Sequence, residues 1–199
     1  MRVVRGEHTT ITHAYVLTGN GSRDIRVLSA LAEKYDHSKI LKTPQTPIKT
    51  GTGLTVVARA LATLLNMRIT VNRYLVLIDR EHVESIREAE RKFMEYGLEI
   101  IGTEELAEGS WMFKVKKGIK EANIYMVLLG TRKRIEENIA KLILLVYGEK
   151  VEENKEAVNN WLRKHKLEDT DLVRKATRNQ LEKAFPTLTK ALEKLASNT

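Results

Sequence analysis

Two carboxylates follow a buried apolar strand in the middle of this chain. Residues 74–78 read Tyr-Leu-Val-Leu-Ile, and Asp79 and Glu81 come next with one residue between them. A strand that is apolar on both faces belongs inside a parallel sheet, and open α/β sheets bind ligands at the carboxyl ends of such strands. Two carboxylates there can hold a hard divalent cation, Mg²⁺ or Mn²⁺. The alternative is that Asp79 caps the next helix and Glu81 lies in its first turn.

A glycine-containing loop offers a second kind of chemistry, the binding of phosphate. Lys49, Gly51 and Gly53 precede a helical pattern whose apolar face runs from Leu54 to Leu65. Backbone amides at the start of a helix can bind an anion. A Walker A loop needs Lys where Leu54 stands, so the sequence excludes a P-loop NTPase. Lys49 is an ordinary loop lysine in the alternative interpretation.

The distribution of charge points to a polyanionic partner. The 199 residues carry a formal net charge of +8, yet no acidic residue lies between Asp36 and Asp79, where Lys49 and Arg59 occur. From Asp79 to Phe113, ten carboxylates stand against four basic residues. A metal-assisted enzyme acting on nucleic acid requires such a basic surface beside a carboxylate cluster. A solvated basic surface without a partner is the alternative.

Composition excludes several classes of protein. The absence of cysteine rules out a disulfide framework and a cysteine metal site. No apolar stretch approaches the roughly 20 residues of a membrane span, and the first residues lack the core of a signal peptide. We therefore expect a cytoplasmic protein with no membrane partner. Charged residues make up 30% of the chain, a composition compatible with a thermophile.

The apolar periodicity predicts an α/β fold. Strands are predicted at residues 11–17, 74–78, 98–101, 111–115 and 124–129, with helical patterns between several of them and a long loop over residues 36–53. Strands alternating with helices favour a mainly parallel sheet that is flanked by helices. Residues 1–148 form this domain, and the helical stripes of residues 149–199 predict a helical C-terminal subdomain.

The order of three short motifs resembles the Toprim domain. Residues 21–24, Gly-Ser-Arg-Asp, resemble the Gly-x-x-Asp that opens the first Toprim helix, and residues 75–81 resemble the second motif, a strand followed by Asp-x-Asp. Residues 134–137, Arg-Ile-Glu-Glu, are similar to the Leu-Glu-Asp of small Toprim-like proteins related to the nuclease domains of the OLD family. The resemblance covers about the first 148 residues and implies a Toprim-like (Rossmann-like) sheet.

The resemblance also implies a site. Asp79, Glu81 and Asp24 are the expected catalytic residues, and together with Glu136 they are the expected ligands of Mg²⁺. Phosphate contacts are expected from one set of residues: Lys49, Gly51, Gly53, Arg23 and Arg59. Toprim enzymes place Glu directly before Gly-x-x-Asp, whereas this chain has Asn20, which neither holds a metal by charge nor exchanges a proton at neutral pH. Alternatively, Asp24 only favours its helix N-terminus, and Glu136 and Glu137 are solvated.

Three functions follow as hypotheses. The first is a Mg²⁺-dependent enzyme that cleaves or transfers a phosphodiester bond of a nucleic acid. The second is a non-catalytic Toprim-like module that binds nucleic acid or a nucleotide through its basic surface. The third is a nucleotide-sensing regulator. In the third, residues 19–22 hold the ligand and the C-terminal helices form a homodimer.

Overall fold

The apolar runs form one seven-stranded sheet in the computed structural model, which describes residues 1–5, 12–19, 22–36, 38–43, 53–67 and 70–197. The strands are β1 (Arg2–Arg5), β2 (Thr12–Thr18), β3 (Ile40–Thr43), β4 (Arg73–Asp79), β5 (Glu99–Ala107), β6 (Ser110–Lys117) and β7 (Lys120–Leu129). Their order is β1-β3-β2-β4-β7-β6-β5. The first five strands of that order are parallel, and β6 is antiparallel to both β7 and β5. The prediction of a mainly parallel α/β sheet is confirmed.

Helices cover both faces of the sheet. They are α1 (Ser22–Ala32), α2 (Leu54–Asn66), α3 (Ile86–Glu95), α4 (Ile135–Tyr147), α5 (Lys155–Lys164), α6 (Asp169–Lys175), α7 (Arg178–Ala184) and α8 (Pro186–Ser197). Successive side chains of a strand point to opposite faces, so a central strand must be apolar throughout. In β4, Leu75 and Leu77 pack on the side of α1 and α4, whereas Val76 and Ile78 pack on the side of α2 and α3. Within the described ranges, no helix is both long and apolar enough to cross a membrane.

The C-terminal helices pack onto the sheet. Leu188 and Leu192 of α8 belong to the same hydrophobic cluster as Leu28 of α1. The Thr187 hydroxyl donates a hydrogen bond of 3.0 Å to the backbone oxygen of Leu128 in β7. Helix α4 ends at Gly148 in the left-handed conformation that glycine favours, which agrees with the predicted boundary. The division into two domains at this residue stays a prediction.

The structure corrects three of the predicted elements. The expected loop of residues 36–53 contains strand β3, which lies between β1 and β2. The strand predicted at residues 11–17 is the second of the chain, because β1 precedes it. The short strand predicted at residues 98–101 is the nine-residue β5, paired with β6 as an antiparallel hairpin. Two four-residue strands escape prediction because they are shorter than the window in which periodicity can be recognised.

The topology creates a crevice between β2 and β4. The chain leaves β2 through α1 on one face to reach β3, and it returns through α2 on the other face to β4. Strands β3 and β4 therefore lie on opposite sides of β2. Ligands of open α/β sheets bind at such a switch of direction, beyond the carboxyl ends of the strands.

Candidate functional site

Three carboxylates from distant parts of the sequence lie at this edge of the sheet. Asp24 is in the first turn of α1, directly after β2. Asp79 is the last residue of β4, and Glu136 is in the first turn of α4, after β7. All three side chains are buried. The structure thus brings together three of the four predicted metal ligands, at the crevice between β2 and β4.

Asp24 is the most deeply buried of these carboxylates. Its residue surface is only 3% exposed, and its Oδ2 atom has no hydrogen-bond partner among the described residues. Burial raises the pKa of Asp24 to about 7, and the negative charges of Asp79 and Glu136 add to the rise. The Asp24 carboxyl group therefore lies within the electrostatic field of both other carboxylates.

Asp79 is held by the N-terminus of α4. Its Oδ1 atom accepts a hydrogen bond of 3.1 Å from the backbone N–H of Ile135. Burial raises the pKa of Asp79 to about 6, while the Ile135 hydrogen bond works in the opposite direction. Asp79 does not cap the 3-10 turn that follows it, and Ser85 caps α3 instead. The alternative in which Asp79 is the cap of the next helix is wrong.

Glu136 and Glu81 are each held by an arginine. Arg23 Nη1 lies 2.7 Å from Glu136 Oε1, and Arg134 Nε lies 2.6 Å from Glu81 Oε1. The Arg23 and Glu136 side chains are almost enclosed, so their ion pair is little screened by solvent. The Arg134 side chain is 55% exposed, and its pair with Glu81 is correspondingly weaker. Both glutamates therefore already have a positive partner.

Sequence reasoning missed the role of Glu137. Its carboxylate accepts hydrogen bonds from the backbone N–H groups of Thr131, Arg132 and Lys133, and from the Thr131 hydroxyl, at 2.6–3.0 Å. Burial acts to raise the pKa of Glu137, but these donors lower it below the ordinary value. Glu137 organises the β7–α4 loop, so the alternative in which Glu136 and Glu137 are solvated is wrong.

The predicted phosphate-binding residues do not lie together in the structure. Lys49 and Gly51, together with Asn20, lie outside the described residues. The amide of Gly53 donates to the backbone oxygen of Gly19 at 2.9 Å, so it is not free to bind an anion. Arg59 lies over the ring of Tyr96, which caps the C-terminus of α3 at the opposite edge of the sheet. Of the described set, Arg23 alone lies beside the carboxylates.

The donor set has the right chemistry for a divalent cation but not a complete geometry. Carboxylate oxygens are the ligands that Mg²⁺ prefers, and the buried Oδ2 of Asp24 has no hydrogen-bond partner among the described residues. Asp79 is engaged on one oxygen by the Ile135 amide. Within the described ranges, no group of three or more His, Cys, Asp or Glu residues is arranged to hold a metal ion. Glu81 and Glu136 are each held by an arginine, so Asp24 and Asp79 are the candidate ligands.

Comparison with known proteins does not identify a family for this chain. No protein-family model, no curated protein and no solved structure gives a significant match to this chain. Any function of the edge that carries Asp24, Asp79 and Glu136 (the carboxylate edge) therefore follows from its own geometry.

Proposed function

We propose that this protein binds Mg²⁺ or Mn²⁺ between Asp24 and Asp79 and cleaves or transfers a phosphodiester bond of a nucleic acid. One observation carries the proposal: Asp24 of α1 is buried within the field of the Asp79 charge of β4 at the switch of direction, and the Asp24 Oδ2 atom has no hydrogen-bond partner among the described residues. A buried carboxylate without a partner is destabilising unless it is protonated or binds a cation. The resemblance of the three sequence motifs to the Toprim domain supports the same interpretation.

The neighbouring side chains have definite tasks in this proposal. Arg23 holds the Glu136 carboxylate in place, and its positive charge partly offsets the negative field of Glu136 at Asp24. Arg134, exposed at the rim, provides positive charge that a substrate phosphate meets. The chemistry supplied by a bound Mg²⁺ would be activation of water and stabilisation of charge on the phosphate.

The decisive experiment measures metal binding and cleavage together. Mn²⁺ binding to the full chain is followed by electron paramagnetic resonance, and end-labelled DNA and RNA are incubated with Mg²⁺, Mn²⁺ or EDTA. We expect one strong Mn²⁺ site and metal-dependent cleavage, both lost in Asp79→Asn. Glu156→Gln, which removes an exposed carboxylate in the first turn of α5, is the matched control and should retain both. Absence of Mn²⁺ binding in the wild-type protein would refute the proposal.

A second candidate is a non-catalytic module that binds nucleic acid or a nucleotide. The observation that favours it is the pairing of Glu81 with Arg134 and of Glu136 with Arg23, because two of the four expected ligands already have a cation beside them. This module would bind nucleic acid with a strong salt dependence and leave it uncut in Mg²⁺ and in Mn²⁺. A homodimer through the C-terminal helices stays a prediction, which sedimentation equilibrium can test.

A further inference from the structure

Strand β5 leaves one side of the sheet open. It stands at the end of the strand order and, among the described strands, pairs only with β6. Residues 101–105 of this strand are all exposed. An edge of this kind presents backbone N–H and C=O groups to which a further strand can be added.

Two bulges limit the part of β5 that can accept a strand. Ile101 and Leu106 are the extra residues, because the register with β6 shifts at each of them. Between them, residues 102–105 pair regularly with residues 111–114 of β6. A bulge twists an edge away from a straight partner, so a new strand would pair with residues 102–105.

A pocket with three carboxylates lies at the end of this stretch. It has a volume of about 390 Å³, and its lining includes Glu105 of β5, Glu108 of the turn to β6 and Glu84, which precedes α3. All three residues are exposed. Within the described part of the chain, none of the three forms an ion pair. Their charge is therefore open to a partner from outside.

Two arginines also line the pocket, but they do not neutralise it. Arg132 is paired with Glu153, which lies outside the lining. Arg80 donates a hydrogen bond of 3.5 Å to the backbone oxygen of Gly130 and forms no ion pair with any described residue. Since Arg132 and Glu153 neutralise each other, three carboxylates stand against one guanidinium group. The pocket keeps a net negative charge.

The lining favours an organic cation over a metal ion. Its carboxylates are not grouped closely enough to hold a metal, because no such group of three occurs in the described ranges. Trp111, the residue of β6 opposite Glu105, is half-buried and lines the same pocket. None of the described arginines or lysines lies over its ring. A tryptophan ring beside carboxylates suits the ammonium or guanidinium group of a lysine or arginine.

We propose that the open edge of β5 binds an extended, basic segment of a partner protein as an additional strand, with one lysine or arginine of that segment in the pocket beside Trp111. Backbone hydrogen bonds to residues 102–105 supply the pairing, and the carboxylates of the pocket select the positive side chain. A second copy of this chain fits the edge poorly, because β5 paired with itself would bring Glu104 and Glu105 of both copies together.

Fluorescence polarisation with labelled synthetic peptides tests the proposal on the full chain, in EDTA and at low salt. One peptide alternates Lys and Val, a second alternates Lys and Pro, and a third alternates Glu and Val. We expect the Lys-Val peptide to bind and the Glu-Val peptide not to bind. The Lys-Pro peptide should bind at least about tenfold more weakly than the Lys-Val peptide, because proline has no N–H for the strand pairing.

Two charge reversals locate the binding. Glu105→Lys should weaken the binding of the Lys-Val peptide about tenfold, because an attraction beside the added strand becomes a repulsion. Glu156→Lys makes the same change of charge at an exposed position of α5, and it should weaken the binding less than about twofold. Both positions are exposed, so neither change disturbs the core.

Amide hydrogen exchange gives a readout that charge alone does not change. The Lys-Val peptide should slow the exchange of the amides of residues 102–105 that point out of the sheet, and the Lys-Pro peptide should not. Protection of these amides in the free protein, together with a dimer in sedimentation equilibrium, would make a second copy the occupant and overturn the inference. Equal binding of the Lys-Val and Lys-Pro peptides, equal losses in Glu105→Lys and Glu156→Lys, or no binding of the Lys-Val peptide would also overturn it. None of these results depends on the proposed cleavage, because EDTA removes the metal.

Discussion

Replacement of Asp24 by Asn should stabilise the protein at alkaline pH and leave its stability unchanged in acid. Asp24 is buried beside Asp79 and Glu136, and burial followed by these two charges raises its pKa from 3.8 to about 7. Asn has nearly the same shape and carries no charge, so it removes the titration without leaving a cavity. The variant therefore isolates the free energy that is needed to keep this carboxylate ionised in the folded state.

The sign and the size follow from proton linkage. Below pH 3.8 the folded and the unfolded chain both hold the proton, and the group does not affect stability. Between 3.8 and about 7 only the folded chain holds it, so the unfolding free energy falls as the pH rises. Above about pH 7 the loss is complete and amounts to about 4 kcal/mol, because one pKa unit corresponds to about 1.4 kcal/mol.

Urea unfolding followed by circular dichroism between pH 4 and pH 9, in EDTA, measures this difference. We expect the curves of the wild type and Asp24→Asn to meet near pH 4 and to separate by about 4 kcal/mol at pH 9. The exposed-site control Glu156→Gln should follow the wild type at every pH. A difference in unfolding free energy between wild type and Asp24→Asn that is the same at pH 4 and pH 9 would contradict a raised pKa of Asp24 in the folded state.

Three further changes test the framework around the site. Gly130→Ala should destabilise the fold by more than about 1 kcal/mol, because φ is +83° and the added Cβ would lie 2.4 Å from the Arg134 backbone nitrogen. Gly148→Ala, with a similar φ but open space, should be milder in the same urea titration. Leu192→Ala, in the core between α8 and the sheet, should cost about 2–5 kcal/mol in thermal unfolding. Ile119→Ala at a 98% exposed position should change little, and equal effects would contradict the described packing of α8. Glu137→Gln should destabilise by about 2 kcal/mol at pH 7, and this loss should shrink as the pH falls through the lowered pKa of Glu137. A loss that grows in acid would disprove the role of the carboxylate charge in the β7–α4 loop.

The position of Asp79 could be predicted from the sequence because a local rule governs it. An apolar run of a few residues that ends in a carboxylate identifies a central parallel strand and its carboxyl end, and this held for Asp79. Asp24 and Glu136 do not end an apolar run, since they lie several residues beyond β2 and β7, and they were expected only from the resemblance to the Toprim domain. Parallel strands bring their carboxyl ends to one edge, so residues distant in the chain meet without any further information.

The partners of these residues could not be predicted, since they depend on helix packing. Arg23 binds Asp169, which is 146 positions away and reaches it only because α6 packs on α1. Glu137 differs from Glu136 by one position, yet it turns toward the β7–α4 loop and not toward the other carboxylates. Strand β3 was not predicted because it has only four residues, and one of them is Lys42, which is buried in the structure. Hydrophobic periodicity predicts helices and strands, but it does not predict these side-chain partners or so short a strand.

In the described part of the chain this edge holds five carboxylates, and four of them have a partner of one kind or another. Glu137 is held by loop amides, Glu136 and Glu81 by arginines, and Asp79 by the first amide of α4. Among the oxygens of these five, the Asp24 Oδ2 atom alone is buried without a hydrogen-bond partner from the residues that the structure describes. A cation bound there would stabilise the fold by about 2.7 kcal/mol at a concentration one hundred times its dissociation constant. It would also remove the pH dependence described above, because it favours the ionised form. Mg²⁺ should therefore raise the unfolding free energy of the wild type at pH 9 and leave that of Asp24→Asn almost unchanged. If Mg²⁺ changed the unfolding free energy of the two proteins equally, the cation would bind elsewhere, and the Asp24 charge would remain without a compensating cation.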